Sequence, residues 1–269
     1  MPFEYWFFLG ATFILGSIIG SFLNVCIYRI PAGISIVSPR SRCPHCETPI
    51  HWYHNIPILS WLLLKGKCAY CRAEVPVRYL LVEALTGGLF ALFFYRFAFH
   101  PVTPVVLLLV AALVVITFID LDHQIIPDVI SLPGIPIGFL CSFYVPWVSW
   151  QESLLGIVLG GGSLLTIALG YELLTKKEGM GFGDVKLLAM LGAFLGWTAI
   201  FPIIFIGSLL GTLVGVPLML IKKADSKLAV PFGPFLSAAA LAHISFVQHI
   251  DPIMRWYASI LQQLWFSLW

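Results

Sequence analysis

The fold class is decided by the stretch VVLLLVAALVVITFI (105–119), which is followed directly by DLDHQ (120–124). The run contains no charged side chain and is apolar on every side, so it suits the hydrocarbon core of a bilayer. The whole chain agrees, because 59% of its 269 residues are hydrophobic and only 10% are charged. So few charges cannot cover a water-soluble protein of this length, and we expect an integral membrane protein.

Apolar segments of helical length recur along the chain and predict an all-α fold with about eight transmembrane helices. They cover residues 5–28, 79–98, 103–120, 126–146, 153–172, 187–199, 201–221 and 232–249. The first has no basic residue before it and no suitable cleavage pattern, so we expect a retained helix rather than a signal peptide. Residues 251–269 are apolar and aromatic, and we expect them in the interface or packed on the bundle.

Basic residues are distributed unevenly between the loops. If the N-terminus is outside, thirteen of the fifteen lysines and arginines fall in cytoplasmic segments, and only Arg96 and Arg255 remain outside. This asymmetry follows the positive-inside rule and predicts a cytoplasmic loop over residues 29–78. The same topology places Asp120, at the end of the third span, and Asp184, before the sixth span, at the cytoplasmic face.

The predicted loop 29–78 carries two Cys-x-x-Cys pairs, Cys43-Pro44-His45-Cys46 and Cys68-Ala69-Tyr70-Cys71. Two such pairs can converge on one tetrahedral Zn²⁺ through four thiolates. The metal would supply the folding energy that so small a loop lacks, so we expect a zinc-ribbon-like structural site. Thiol–disulfide exchange is the alternative, although no βαβ pattern surrounds the motif and a second matched pair follows.

Asp120 and Asp184 lie at the ends of long apolar stretches in a chain with few acids. An ionisable group at the membrane edge is costly if it faces lipid, so a functional interpretation is the default. Two neighbouring carboxylates cannot both ionise cheaply. One can then take a proton from water while the other, protonated, acts on a carbonyl oxygen. The pair predicts an aspartyl protease, with either residue as the base.

Gly181 and Gly183 precede the second aspartate in the sequence GFGD (181–184). Without a Cβ, they allow an extended substrate backbone to approach and permit backbone angles closed to other residues, so we expect them to bind substrate. Gly179 can add to this. The alternative is a flexible loop in which Asp184 caps the sixth span.

Other charged residues near these motifs have competing interpretations. Asp122 competes with Asp120 for the catalytic role, whereas Asp128 follows a proline and is expected to cap the fourth span. Glu83 lies in the second span, where it is expected to pair with a loop arginine or to bind a substrate amine. Lys186 can extend its ammonium group to the interface or tune the neighbouring aspartate.

Taken together, these motifs resemble the bacterial type IV prepilin peptidases of the type IV pilus and of type II secretion. The resemblance covers most of the chain. Its segments are GSFLNV (20–25), YRIP (28–31), RCPHC (42–46), WYHNIP (52–57), SW (60–61), the second cysteine pair, RY (78–79), VE (82–83), IDLDHQ (119–124), IPD (126–128), GMGFGDVKLL (179–188) and PFGPF (231–235).

The resemblance implies a GxGD-type aspartyl endopeptidase of the inner membrane, with Asp120 and Asp184 as its catalytic pair. Members of this family remove the short basic leader from type IV prepilins and pseudopilins at the cytoplasmic face, after a glycine. Members with the four-cysteine loop commonly also N-methylate the new N-terminal residue with S-adenosylmethionine, so we expect both activities. No glycine-rich loop of Rossmann type marks a site for this methyl donor.

This interpretation divides the chain into a first transmembrane helix (1–28), a four-cysteine domain (29–78), a transmembrane peptidase domain (79–250) and an apolar tail (251–269). The expected partners are a prepilin or pseudopilin precursor and the lipid bilayer. Nucleic acid is not expected, because topology alone explains the basic residues of the loop. A proton-coupled transporter and a non-catalytic assembly factor are the alternatives.

Overall fold

A computed structural model describes residues 3–176, 181–222 and 230–246. All regular secondary-structure elements in these residues are helices. The helices are α1 (Phe3–Arg29), α2 (Leu59–Leu63), α3 (Val77–Phe97), α4 (Thr103–His123), α5 (Asp128–Cys141), α6 (Trp150–Thr175), α7 (Phe182–Leu195), α8 (Ile200–Lys222) and α9 (Gly233–Phe246). Short 3₁₀ turns occur at Trp52–His54 and Trp197–Ala199. Extended pairing within the described residues is limited to two isolated bridges. The predicted all-α fold is confirmed.

Each of the eight apolar segments predicted from the sequence contains a helix within the described residues, but the helices differ in length. Five are long and apolar enough to cross a membrane: Glu4–Arg29, Val77–Phe97, Thr103–His123, Trp150–Thr175 and Trp197–Met219. Helices α5, α7 and α9 are shorter, and the 14 residues of α5 or α7 rise about 21 Å. A bilayer core is about 30 Å thick. The described residues therefore contain five full-length candidate spans rather than eight, and the predicted tail 251–269 lies outside them.

The chain forms two compact units, Met1–Pro127 and Asp128–Trp269. In the first unit, α1 packs closely on α3 along a face of small residues. A Cβ added to Gly16 would lie 2.9 Å from the Cα of Gly87, and one added to Gly20 would lie 2.9 Å from the Cα of Glu83. Such close backbone approach is typical of helix pairs in membranes. The Asn24 side chain adds a hydrogen bond from its amide nitrogen to a backbone carbonyl of α3, at 3.1 Å.

The second unit is built around α7, whose residues from 187 to 195 are all buried. Helix α6 approaches it through Gly156 and Gly160, and a Cβ at Gly160 would lie 2.6 Å from the Leu188 carbonyl oxygen. The Ser153 hydroxyl donates to the carbonyl of Ala193 at 2.7 Å, inside this contact. Residues 187 to 195 of α7 are thus held firmly, while its first residues, 182 to 186, stay at least partly accessible.

Candidate active site and metal centre

Asp120 lies in the last turn of α4 and is buried, with 4% of its surface exposed. The neighbouring Ile116 and Ile119 are fully buried. The helix ends because Gln124 adopts a left-handed conformation, φ +54°, and its N–H donates to the Asp120 carbonyl at 2.9 Å. The end of α4 therefore holds one buried carboxylate close to a helix terminus.

Asp122, the competing residue, is engaged elsewhere. Its carboxylate pairs with the guanidinium of Arg78, which also donates to the Phe118 carbonyl at 2.9 Å. Residues two apart in a helix point in nearly opposite directions, so Asp122 faces α3 while Asp120 faces inward. The ion pair gives Asp122 a role in joining α3 to α4, and this favours Asp120 as the catalytic candidate.

Asp184 is the third residue of α7, which begins at Phe182, five residues before the predicted start of the sixth span. The residue at the N-cap is Gly181, and the Asp184 N–H donates to its carbonyl at 3.2 Å. The alternative in which Asp184 caps the helix is therefore wrong. A carboxylate in the first turn of a helix is favoured by the helix dipole.

The two glycines before this aspartate occupy different settings. Gly181 has φ −72° and ψ 138°, angles that any residue adopts, so the expectation of special backbone angles is wrong at this position. Among the described residues, a Cβ added there would find no neighbour nearer than 4.0 Å. Gly183 lies inside α7, and Gly179 is outside the described residues.

Lys186 and Asp128 form an ion pair within the second unit. The Lys186 ammonium donates to both oxygens of Asp128, at 2.7 and 2.9 Å. Asp128 is the first residue of α5, so the pair joins the start of α5 to the start of α7. The lysine thus has a defined partner two residues after Asp184.

Glu83 is buried in α3, with 8% of its surface exposed. Its carboxylate accepts a hydrogen bond from the backbone N–H of Ile58 at 2.7 Å and a second from the Ser21 side chain. The carboxylate therefore connects the cysteine loop to α1 and α3. The structure gives it these partners in place of the expected loop arginine, and its proposed contact with substrate stays a prediction.

The four cysteines of the loop between α1 and α3 come together. The Sγ atoms of Cys43, Cys46, Cys68 and Cys71 all lie within 4.8 Å of one another, and those of Cys43 and Cys71 are 3.7 Å apart. A tetrahedral Zn²⁺ with bonds of about 2.3 Å needs sulfur atoms about 3.8 Å apart. The spacing of the four thiols therefore fits a single zinc ion.

The two cysteine pairs have the same local structure. The N–H groups of Cys43 and Cys68 each donate to the carbonyl five residues further on, at 3.1 and 2.8 Å. The residue after each second cysteine, Glu47 and Arg72, has a positive φ of 54° and 61°. Each pair thus forms a tight knuckle that turns both sulfurs toward the other pair, as a metal site requires.

Hydrogen bonds within the knuckles lower the pKa of two of the four thiols, whereas desolvation and hydrogen bonds to the other cysteines raise the pKa of the Cys71 thiol to about 11. The hydroxyl and then the backbone N–H of Thr48 lower the pKa of the Cys46 thiol to about 6. The backbone N–H groups of Cys71 and Tyr70 lower the pKa of the Cys68 thiol. Thiolates are the form that binds metal, so these contacts suit the donor set to Zn²⁺.

The loop is fixed to the end of α1 and is packed internally around Trp61. The buried Arg29 guanidinium, at the end of α1, donates to the carbonyls of Ser35 and Pro39, both at 2.8 Å. The Trp61 ring packs on Gly66, where an added Cβ would approach the ring to 2.7 Å. Gly66 has a φ of +66°, which a glycine adopts without strain.

Five membrane-length helices, a four-thiol cluster and acidic residues at the ends of apolar helices define a multi-pass membrane protein with a candidate hydrolytic site. Residues 107–216 match the family model "Type IV leader peptidase family", and residues 14–97 match "Bacterial Peptidase A24 N-terminal domain". The chain belongs to the type IV leader peptidase family. The resemblance stated from the motifs is confirmed.

Curated relatives extend the match over nearly the whole chain. A protein of Aeromonas hydrophila is 37% identical over 94% of this chain and 94% of its own length. Proteins of Stutzerimonas stutzeri and Pseudomonas aeruginosa are each 37% identical over 86% of this chain and 88% of their own length. All three are called prepilin leader peptidase/N-methyltransferase. No solved structure shows significant similarity.

Proposed function

We propose that this protein removes the leader peptide from type IV prepilins or pseudopilins and then N-methylates the new N-terminal residue. The observation that carries the proposal is the full-length similarity to relatives that are called prepilin leader peptidase/N-methyltransferase. The structure supports it with Asp120 and Asp184, each at the end of a helix, and with the four-cysteine cluster. A prepilin or pseudopilin precursor and the lipid bilayer are the proposed partners.

The proposed cleavage uses Asp120 and Asp184 as one pair, and either residue can be the base. The ionised carboxylate takes a proton from water, and the resulting oxygen nucleophile attacks the carbonyl carbon of the scissile bond. The protonated carboxyl group donates a hydrogen bond to the carbonyl oxygen. When the peptide bond breaks, the leaving nitrogen receives a proton. Overall, one water is consumed, and a carboxyl group and an amine are formed. An extended substrate backbone is proposed to pass Gly181 beside Asp184; no described residue would lie nearer than 4.0 Å to a Cβ added there.

The cut is proposed to follow a glycine at the cytoplasmic surface of the inner membrane. The excess of basic residues in the loop 29–78 supports a cytoplasmic cysteine domain and an external N-terminus. A prepilin has a polar leader before its apolar helix, so its scissile bond lies near the membrane surface. The ends of α4 and α7 that carry the aspartates are proposed to lie at that depth.

The second proposed activity transfers a methyl group to the amine that cleavage exposes. S-adenosylmethionine is proposed as the co-substrate; its sulfonium supplies the methyl group, and the amine loses a proton. Zn²⁺ bound by Cys43, Cys46, Cys68 and Cys71 would fix the fold of the loop, because four thiolates complete its coordination shell. The chain's own contribution is the loop that Glu83 and Arg29 hold against the helices.

The experiment is to express the full-length protein in membranes with a prepilin and to follow the substrate by mass spectrometry. The wild-type enzyme should remove the leader and add the mass of one methyl group. Asp120→Asn and Asp184→Asn should each abolish leader removal, while the control Glu4→Gln, at an exposed position in α1, should behave as wild type.

Two outcomes would contradict the proposal. Full leader removal by either asparagine variant would show that the two aspartates are not the catalytic pair. Failure of the wild-type enzyme to process any prepilin or pseudopilin, with the protein folded in the membrane, would reopen the assembly-factor and transporter alternatives.

A further inference from the structure

Two ion pairs lie immediately beyond the proposed catalytic aspartates. Asp122, two residues after Asp120, pairs with Arg78, and Lys186, two residues after Asp184, pairs with Asp128. We propose that these pairs are positioning devices, each of which fixes the helix end that carries one catalytic carboxylate. This inference rests on the proposed function and assigns roles to four residues outside the catalytic pair.

Arg78 holds the end of α4 by three contacts at once. One terminal nitrogen of its guanidinium bonds to Asp122, and the other donates to the Phe118 carbonyl at 2.9 Å. The guanidinium carbon also lies 5.1 Å from the centre of the Phe118 ring. A planar guanidinium with three partners restricts the rotation and the sliding of α4 against α3. The contacts fall on both sides of Asp120, at positions 118 and 122.

Helix geometry transfers this restraint to the aspartate. Successive residues of an α-helix are separated by about 100°, so residues two apart differ by about 200°. Anchoring Asp122 to α3 therefore turns Asp120 toward the interior, where it is 4% exposed. The same relation holds in α7, where Lys186 is anchored to Asp128 and the Asp184 side chain points to another side of the helix.

The charges of the first pair oppose the preference of their own helices. Arg78 is the second residue of α3, and Asp122 is the last but one of α4. A helix dipole disfavours a cation at the N-terminus and an anion at the C-terminus. Each charge is therefore unfavourable for the dipole of its own helix, and it is neutralised only by the opposite charge on the neighbouring helix. Residues that violate a local preference are expected where function requires them.

Both pairs are too exposed to be important for stability. Side-chain exposure is 32% and 36% for Arg78 and Asp122, and 32% and 55% for Lys186 and Asp128. Exposed ion pairs contribute little to the free energy of unfolding. A positioning role therefore predicts a loss of turnover without a matching loss of thermal stability, and this separates it from a merely structural role.

The test measures kcat and KM for leader removal by the full-length enzyme in membranes, with a purified prepilin as the probe. Asp122→Asn and Asp128→Asn should each lower kcat roughly 10- to 100-fold, because small displacements of catalytic groups have effects of this size. KM should change much less. The charge-exchanged double variants Arg78→Asp with Asp122→Arg, and Lys186→Asp with Asp128→Lys, should recover most of the lost turnover.

Methyl transfer to a pilin that has already lost its leader serves as the fold control, since no peptide bond is hydrolysed in that step. The inference stands if the single variants keep methyl transfer but cleave with a lower kcat. The charge-exchanged double variants must also recover the kcat for cleavage. It is overturned if the single variants cleave at the wild-type rate, if charge exchange gives no recovery, or if methyl transfer falls in parallel. Cleavage by Asp120→Asn or Asp184→Asn would overturn the proposed function itself.

Discussion

At the scale of single residues, Glu83 of α3 fixes the backbone of the cysteine loop at Ile58 through a hydrogen bond. The carboxylate is buried in α3 and accepts the N–H of Ile58 at 2.7 Å, while Ile58 has a φ of +64°. A β-branched residue in this region is an outlier, and such strain of about 1–3 kcal/mol persists only when the surroundings impose it. Glu83 supplies the acceptor that holds Ile58 in place.

Removing this acceptor should loosen the cysteine loop. Glu83→Ala leaves the Ile58 N–H without its partner, which is expected to cost about 1–3 kcal/mol, whereas Glu83→Gln keeps an acceptor oxygen and should cost less. Limited proteolysis of the loop between α1 and α3 in intact membranes measures the difference. Equal protease resistance of wild type and Glu83→Ala would contradict this role, and Glu4→Ala is the control for loss of a carboxylate.

The partners of the charged residues could not be predicted from the sequence. Nothing in the motif around Asp122 indicates Arg78, which is 44 positions away, and nothing near Lys186 indicates Asp128, which is 58 positions away. Such pairs depend on which helix ends become neighbours, and hydropathy does not contain that information. The cysteines were predictable because a metal site requires their spacing.

At the scale of helices, three glycine pairs at a spacing of four residues build the packing. They are Gly16 with Gly20, Gly134 with Gly138, and Gly156 with Gly160, and each pair lies against another helix of the same unit. Small residues at this spacing let helix backbones approach closely in a membrane. This spacing is visible in the sequence and indicates the packing faces of α1, α5 and α6.

The contact between α1 and α3 can be tested with two adjacent glycines. A Cβ at Gly87 would collide with Ser17 and approach the Phe13 carbonyl to 3.0 Å, whereas one at Gly88 would meet nothing within 4 Å. Gly87→Ala should therefore destabilise the protein by about 1–3 kcal/mol through overpacking. Gly88→Ala should be neutral or stabilising by up to about 1 kcal/mol. Thermal unfolding in detergent compares them, and the opposite order would contradict the packing.

The same comparison is available in the second unit. A Cβ at Gly160 would lie 2.6 Å from the Leu188 carbonyl, and one at Gly162 would meet nothing within 4 Å. Gly160→Ala should push α6 away from α7 and lower the unfolding temperature, because the added methyl group collides with the neighbouring backbone. Gly162→Ala should keep the unfolding temperature unchanged or raise it, because its methyl group meets no such neighbour. If both variants unfold at the same temperature, α6 does not pack on α7 through this face.

Helix boundaries were predicted less well than helix existence. The sixth apolar segment was expected to begin at residue 187, but α7 begins at Phe182 because the polar residues before the apolar run are also helical. Asp184 in the first turn stabilises that start. The fourth apolar segment was expected to reach residue 146, but its helix, α5, ends at Cys141. Hydropathy marks the apolar part of a helix rather than its hydrogen-bonded ends.

At the scale of the whole molecule, composition and motifs were enough to predict an all-α membrane protein, its family and its four-thiol cluster. The proposed meeting of Asp120 with Asp184 stays a prediction from topology and resemblance, because the two residues belong to different units. The division of the chain at 28, 78 and 250 also stays a prediction.

Metal removal should affect the cysteine loop first. Cys43→Ser should lose bound zinc and make the loop between α1 and α3 sensitive to protease, because four thiolates hold the two knuckles together. Cys141→Ser, outside the cluster, is the matched control and should keep the metal. Elemental analysis of the purified variants gives the zinc content. The same zinc content in wild type and Cys43→Ser would contradict the four-thiolate site.

The most direct test of the central claim is a double-mutant cycle on the catalytic pair. Leader removal is measured for Asp120→Asn, Asp184→Asn and the double variant, on one prepilin in membranes. Residues that act as one catalytic unit are strongly non-additive, so we predict that the three variants share the same residual rate. Independent losses that multiply in the double variant, or substantial cleavage by either single variant, would contradict a shared active site.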